Sequence, residues 1–320
     1  MRPIICAIIL ILLSGHSTST LKGQSRNSFP LSPAEQIFRQ GLKITLDGGD
    51  TNKAILYFLE ALKRDPEHLY ASLMLAENLL KNGMVNEGKT QLKRHIKKFP
   101  RHHEAYTKIG NLLRSEKEYK KSNKYFLKAL ALEPGEWILQ YGIASNYDLL
   151  GDKKNAIKYW VKFLQQQPED AEASGQVGRC YAELGLKKEA LKWLKKSLLL
   201  DPLNAVFPKI LLAELLKIKP SYPPEALFKK IPGLINNLNF LNDIVEHYKK
   251  RGDKKKVGIF LSVILIKQIK SVEEHKHSEA FIRMALINRM KNIISELEKL
   301  DPKNPVLIKA KKRKDLLTVK

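Results

Sequence analysis

Five prolines, Pro66, Pro100, Pro134, Pro168 and Pro202, stand 34 residues apart. The positions between them keep the same register. The block ending at Pro134 places Tyr106, Ile109, Gly110 and Leu113 before Ser122, Phe126, Ala129 and Leu130. The block ending at Pro168 places Ile143, Ala144 and Tyr147 at the equivalent sites, then Gly151, Ala156, Trp160, Phe163 and Leu164. Val177, Gly178, Tyr181, Gly185, Ala190, Leu194 and Leu198 repeat the order before Pro202, as do Leu75, Ala76, Leu79, Gly83, Gly88, Leu92 and Ile96 before Pro100. Apolar residues three and four apart predict two amphipathic helices per block. Gly or Ala is expected where two helix backbones approach closely. Proline, with no N–H to donate, ends each pair.

These residues resemble the tetratricopeptide repeat, whose order of large apolar, Leu-Gly, Tyr, Ala, Phe and Pro they follow. The likeness runs from about Leu69 to Pro202 and back to one earlier block with Gly41, Ile44, Ala54, Phe58, Ala61 and Pro66. That block carries one extra residue in the turn Asp47-Gly48-Gly49-Asp50, an insertion that costs little loop entropy. The family's first-helix Trp is missing throughout, so the likeness rests on the small residues and the prolines. It implies an all-α, right-handed solenoid of tetratricopeptide helix-turn-helix repeats, in which each pair buries its apolar face against the next.

Outside the repeats the chain changes character. Arg2, the apolar run Ile4 to Leu13 and the small polar stretch Ser14 to Thr20 follow the order of a secretory signal over residues 1–20. The run is short for a bilayer span. An uncleaved anchor would also carry the repeats across the membrane. The expected location is therefore periplasmic, cell-envelope or secreted. Residues 21–33 read as a flexible leader, with Ser32 as N-cap, Pro33 at the first helical position and Glu35 returning to the cap. The repeat array is expected over 34–219. Three prolines within Pro220-Ser221-Tyr222-Pro223-Pro224 cannot sit inside a helix, so a kinked connection or subdomain boundary falls there. Residues 220–320 then hold a degenerate helix pair around Leu241, Ile244, Tyr248, Gly252, Val257 and Leu261. A further helix ends at Asp301-Pro302, and a Lys-rich segment caps the stack.

The search for chemistry finds no catalytic constellation. There is no phosphate-binding glycine loop, Cys-x-x-Cys pair, serine elbow or zinc-protease helix motif. His102-His103 and His275-Lys276-His277 have no cysteines or carboxylates at ligand spacing, so no metal and no cofactor are expected. With the signal removed, Cys180 is the one remaining cysteine, which excludes an internal disulfide and reads as a small buried residue.

Two surfaces remain. The resemblance places a partner-binding groove on the first helices. Its positions fall on Tyr70, Leu73, Glu77, Leu80 and Lys81, on Glu104, Thr107, Asn111 and Arg114, on Ile138, Tyr141, Ser145, Asp148 and Leu149, and on Glu172, Gly175, Arg179, Ala182 and Glu183. The Lys and Asn arrangement with which some relatives clamp a C-terminal carboxylate is not reproduced. On the second helices Lys120, Lys124 and Lys128 recur as Lys154, Lys158 and Lys162 and again as Lys188, Lys192 and Lys196. A spacing of four puts each trio on one helix face, which the resemblance places on the convex back. With a formal net charge of +24, these rows are either a site for polyanions or membrane surfaces or a solvated face. The reading is a non-enzymatic adaptor for a protein or peptide partner, the alternative a peripheral envelope protein held to anionic lipid or glycan. Nucleic acid is disfavoured by export and by the lack of stacking aromatics in the Lys rows.

The signal makes a direct expectation. Intact-mass measurement of the exported protein should show an N-terminus between Thr18 and Lys22, whereas cytosolic protein retaining Met1 would contradict export.

Overall fold

The computed structural model describes residues 31–275 and 280–313. Residues 1–30, which carry the expected signal, lie outside the described residues, as do Lys276, His277 and the last seven positions. Every regular element among the described residues is helical. In chain order these are α1 (Pro33–Leu46), α2 (Thr51–Arg64), α3 (Leu69–Lys81), α4 (Val85–Lys98), α5 (His103–Ser115), α6 (Tyr119–Leu132), α7 (Trp137–Leu149), α8 (Lys153–Gln166), α9 (Ala171–Glu183), α10 (Lys187–Leu200) and α11 (Phe207–Ile218). After short 3-10 turns around α12 (Leu227–Lys230) come α13 (Leu238–Lys250), α14 (Lys254–Glu274), α15 (Ala280–Leu300) and α16 (Pro305–Lys312). None is long and apolar enough to cross a membrane.

The sequence sets the helix ends. The five periodic prolines each lie two residues past the last residue of α2, α4, α6, α8 or α10, where the missing N–H costs no helical hydrogen bond. Asp50, Asp152 and Asp170 cap α2, α8 and α9 by accepting from a backbone N–H of the first turn. Ser32 caps α1 in the same way, its Oγ 3.1 Å from Glu35 N, with Pro33 inside the first turn. The return half of that cap is not made. Glu35 instead binds Arg39 at 2.6 Å and lies 3.2 Å from His68 Nε2, because a cation one turn along its own helix is the stronger partner.

The small residues divide into two classes that the sequence reading had merged. Gly83, Gly151 and Gly185 sit in the intra-pair turns at φ +78°, +79° and +75°, where an added Cβ would touch nothing but the backbone would be strained. Lys117 occupies the same turn position at φ +62°. Gly88, Gly110 and Gly178 mark the true close approaches. A Cβ on Gly110 would lie 2.5 Å from the Phe126 ring, and one on Gly178 would lie 2.8 Å from the backbone N of Leu194. Ala144, at the equivalent position in α7, is fully buried.

The chain forms two compact units, one ending at His95 and one beginning at Ile96. In the first, Phe38, Leu42, Ala54, Ile55, Phe58, Ala61, Ala71 and Leu75 form the core. In the second, one cluster gathers Tyr106, Phe126, Ala129, Leu139 and Ile143, and another gathers Ala144, Ala156, Trp160, Phe163, Val177 and Cys180. A third runs from Ala190 through Phe207, Leu227 and Phe240 to Leu307 and Ala310, continuous across Pro220–Pro224. A polar clamp fixes that proline-rich connection. Glu225 accepts from Tyr248 Oη at 2.5 Å and from Lys256 Nζ at 2.8 Å, and Lys256 also lies 4.4 Å from the centre of the Tyr248 ring.

Two substitutions test the two classes of small residue. Lys117→Gly should stabilise the chain by about 1 kcal/mol by removing a left-handed side chain. Gly178→Ala should destabilise it, because overpacking against the Leu194 backbone, at about 1–3 kcal/mol, outweighs the gain of up to about 1 kcal/mol from helix propensity. Denaturant midpoints with unchanged m-values would show both shifts.

Candidate functional site

The first helices of the second unit, α5, α7 and α9, bring together most of the predicted groove residues. Arg114 Nη2 on α5 donates to Ser145 Oγ on α7 at 3.0 Å. One helix pair further on, Arg179 on α9 binds Asp148 on α7. The two contacts share a sequence separation of 31, so the 34-residue repeat places the same bridge twice. Lys153 and Glu183 extend the second bridge, with Lys153 Nζ 2.6 Å from Asp148 Oδ1 and 2.8 Å from Glu183 Oε2, and Arg179 Nη1 2.5 Å from Glu183 Oε1. Two carboxylates thus face two cations.

This network sets the local protonation. Burial would raise the Asp148 carboxyl, but hydrogen bonds from Lys153 and Arg179 outweigh it and hold Asp148 below the usual carboxylate range. Cys180 lies beneath, fully buried, its Sγ 3.6 Å from Asp148 Oδ1. Burial, and then the Asp148 charge, push the thiol up to about 12, which removes it as a nucleophile at neutral pH.

Beside the network stands an aromatic shelf. Tyr141 meets Trp160 edge-on at 4.7 Å and Phe163 at 5.3 Å, and Trp137 lies 5.6 Å from Phe163. Burial raises the Tyr141 hydroxyl, with Glu172 and Asp170 adding to the effect. Ile138, 49% exposed, and Trp137, 39% exposed, present apolar surface at the start of α7, and Asn111 is exposed on α5.

Several groove positions carried over from the resemblance fall elsewhere. Leu73 is buried, and Leu80 packs where Gly88 admits it. Gly175 is also buried. A Cβ there would lie 2.0 Å from the Phe207 ring, so the glycine exists to seat α11. Asp148 and Arg179 are engaged with each other, and Tyr141 supports the shelf, so these three are as much structural as available. Tyr70, 39% exposed, and Glu77, half-buried, belong to the first unit. That unit holds a separate cavity of about 450 Å³ whose lining includes Leu59, Leu79, Thr90, Gln91 and Arg94, none of them among the groove positions that the resemblance implied.

On the second helices, eight of the nine periodic lysines are exposed and Lys196 is half-buried. The premise that their rows lack aromatics is wrong. Tyr125, Tyr159 and Trp193 also stand 34 apart, each one residue after the middle lysine of its trio. Lys158 and Lys162 lie 5.7 and 5.3 Å from the Tyr159 ring centre, and Lys196 lies 5.2 Å from Trp193. The repeat spacing could have revealed this row. His102 lies 3.9 Å from Glu104, and His277 falls outside the described residues; among the described residues no group of three His, Cys, Asp or Glu is placed to hold a metal ion.

Comparison with known proteins agrees with the repeat reading. Residues 45–112, 103–136 and 141–205 match models of the tetratricopeptide repeat, so the chain carries these repeats. Among curated proteins none matches. Solved structures similar to the chain include one of MamA protein, 25% identical, covering 54% of this chain and 94% of that one with a TM-score of 0.48. Another is of YrrB, described as a TPR protein with an unusual peptide-binding site, 21% identical, covering 54% of this chain and 97% of that one with a TM-score of 0.45.

The depressed Asp148 titration has a sign that can be measured. A carboxyl held low in the folded state adds stability above its unfolded pKa, and that stability is lost as pH falls through the folded value. Asp148→Asn should therefore cost about 1–3 kcal/mol at neutral pH, with Arg179 and Lys153 left to share the more exposed Glu183. The difference from wild type should shrink below about pH 4. A pH-independent difference would show that the carboxylate charge contributes nothing.

Proposed function

We propose that the tetratricopeptide repeats of this chain act as a non-enzymatic adaptor, holding a protein or peptide partner along the first helices α5, α7 and α9. The observation that carries this reading is the pair of bridges Arg114–Ser145 and Asp148–Arg179. They tie consecutive first helices into one strip with the aromatic shelf beside it. Side chains locked this way lose little entropy when a partner arrives. The strip offers donors, acceptors and both signs of charge, with Asn111, Ile138 and Trp137 reaching solvent. Such a lining suits a polypeptide, which presents backbone amides and mixed side chains. The sequence order of Arg2, the Ile4 to Leu13 run and the following small residues supports a setting across a membrane, in the cell envelope or beyond.

A photo-crosslinking residue at Ile138 should capture one protein partner of defined mass, and the same residue at Lys124 on α6 should not. Arg114→Ala should then weaken the captured complex by about 2 kcal/mol, the loss typical of an arginine anchor. Asn111→Ala should weaken it less. Capture from Lys124 with silence at Ile138 would reject the groove.

A further inference from the structure

Helices α6, α8 and α10 share an imbalance that solubility does not require. Together they hold thirteen lysines and one carboxylate, Glu189. A face serving only solvation mixes both signs, because like charges in rows repel. Taken together, the first helices α5, α7 and α9 hold both signs, with Lys108, Arg114 and Arg179 beside Glu104, Asp148, Glu172 and Glu183. Among the described residues none of the nine periodic lysines is paired with a carboxylate. The ion pairs nearby use Lys121 and Lys153 instead.

The packing makes the rows a two-dimensional array. Along each helix the lysines are about 6 Å apart, four residues at the helical rise. Across the helices, Tyr125 and Tyr159 pack against one apolar cluster, and Tyr159 and Trp193 against the next, which sets α6, α8 and α10 in sequence. Between the first and last lysine of each trio no large apolar side chain is exposed. Lysine ammonium groups lie over the rings of Tyr159 and Trp193, which makes the aromatic part of the array cationic as well.

We propose that this lysine and aromatic array adsorbs the chain to an anionic lipid surface, independently of any partner in the groove. A linear polyanion engages one row at a time, whereas a plane of anionic headgroups engages all nine lysines. Tyr and Trp beside the rows suit the headgroup layer. The absence of an exposed apolar wedge within the array makes the adsorption electrostatic, reversible and sensitive to salt. Each lysine near such a surface strengthens binding about fivefold.

Flotation of the full chain with lipid vesicles tests this. The chain should bind vesicles containing phosphatidylglycerol, ignore vesicles of phosphatidylcholine alone, and dissociate as salt is raised. Replacing Lys124, Lys158 and Lys192 together by Glu should weaken binding at least about 100-fold, while the same three positions changed to Arg should retain it. Replacing Lys229, Lys254 and Lys255 by Glu alters the net charge equally at other exposed positions and should cost less than about tenfold. Thermal midpoints of all variants should stay near wild type. Equal losses in the two Glu variants would reduce the effect to net charge and overturn the proposal. So would failure to bind phosphatidylglycerol vesicles, or tighter binding to heparin or to single-stranded oligothymidine under the same salt.

Discussion

Two helix backbones can approach closely only where a side chain is nearly absent, and the second unit depends on that condition at Gly110, Ala144 and Gly178. At Gly110 the Phe126 ring fills the space a Cβ would take, and at Gly178 the backbone of Leu194 does so. Once these contacts fix each pair, the 34-residue period does the rest. Ser122 Oγ can donate to the Gly110 carbonyl at 2.8 Å and accept from Asn146 Nδ2 at 2.9 Å, linking three consecutive helices through buried polar groups. The bridges Arg114–Ser145 and Asp148–Arg179 follow from the same registration of the first helices.

That registration also separates the two surfaces. Every position in a 34-residue block has a fixed place, so a residue type that recurs with the period accumulates on one face. Mixed charge and amides accumulate on the first helices, and lysines with one aromatic per repeat accumulate on the second. The proposed groove and the proposed lipid-binding array are consequently products of one repeat, borne on different helices of each pair.

Much of this was legible in the sequence. The period located helix ends, the four-residue turn at Asp47–Asp50, the buried Cys180 and the small close-approach residues. It did not separate Gly151 and Gly185, needed for a left-handed turn, from Gly110 and Gly178, needed for contact, because both are simply glycine at a periodic position. It misassigned Gly175, which yields to Phe207 of α11, a helix outside the regular series. The pattern ends there for a physical reason. Leu212, at the register of Gly178, is buried, and in place of a full second helix α11 is followed by the short turns and α12. No close approach is required, so no small residue is present. The pairing of Asp148 with Arg179 was equally hidden, since two residues assigned to the same groove say nothing about whether they bind each other.

The central claim is that one contact repeats along α5 to α10 and sustains the rest. Native-state hydrogen exchange resolves it residue by residue. The account predicts slowest exchange in the helix centres around Gly110, Ala144 and Gly178, falling at Lys117, Gly151 and Gly185, so that protection rises and falls with the 34-residue period. Protection concentrated in one helix pair, with no periodicity in the others, would contradict it.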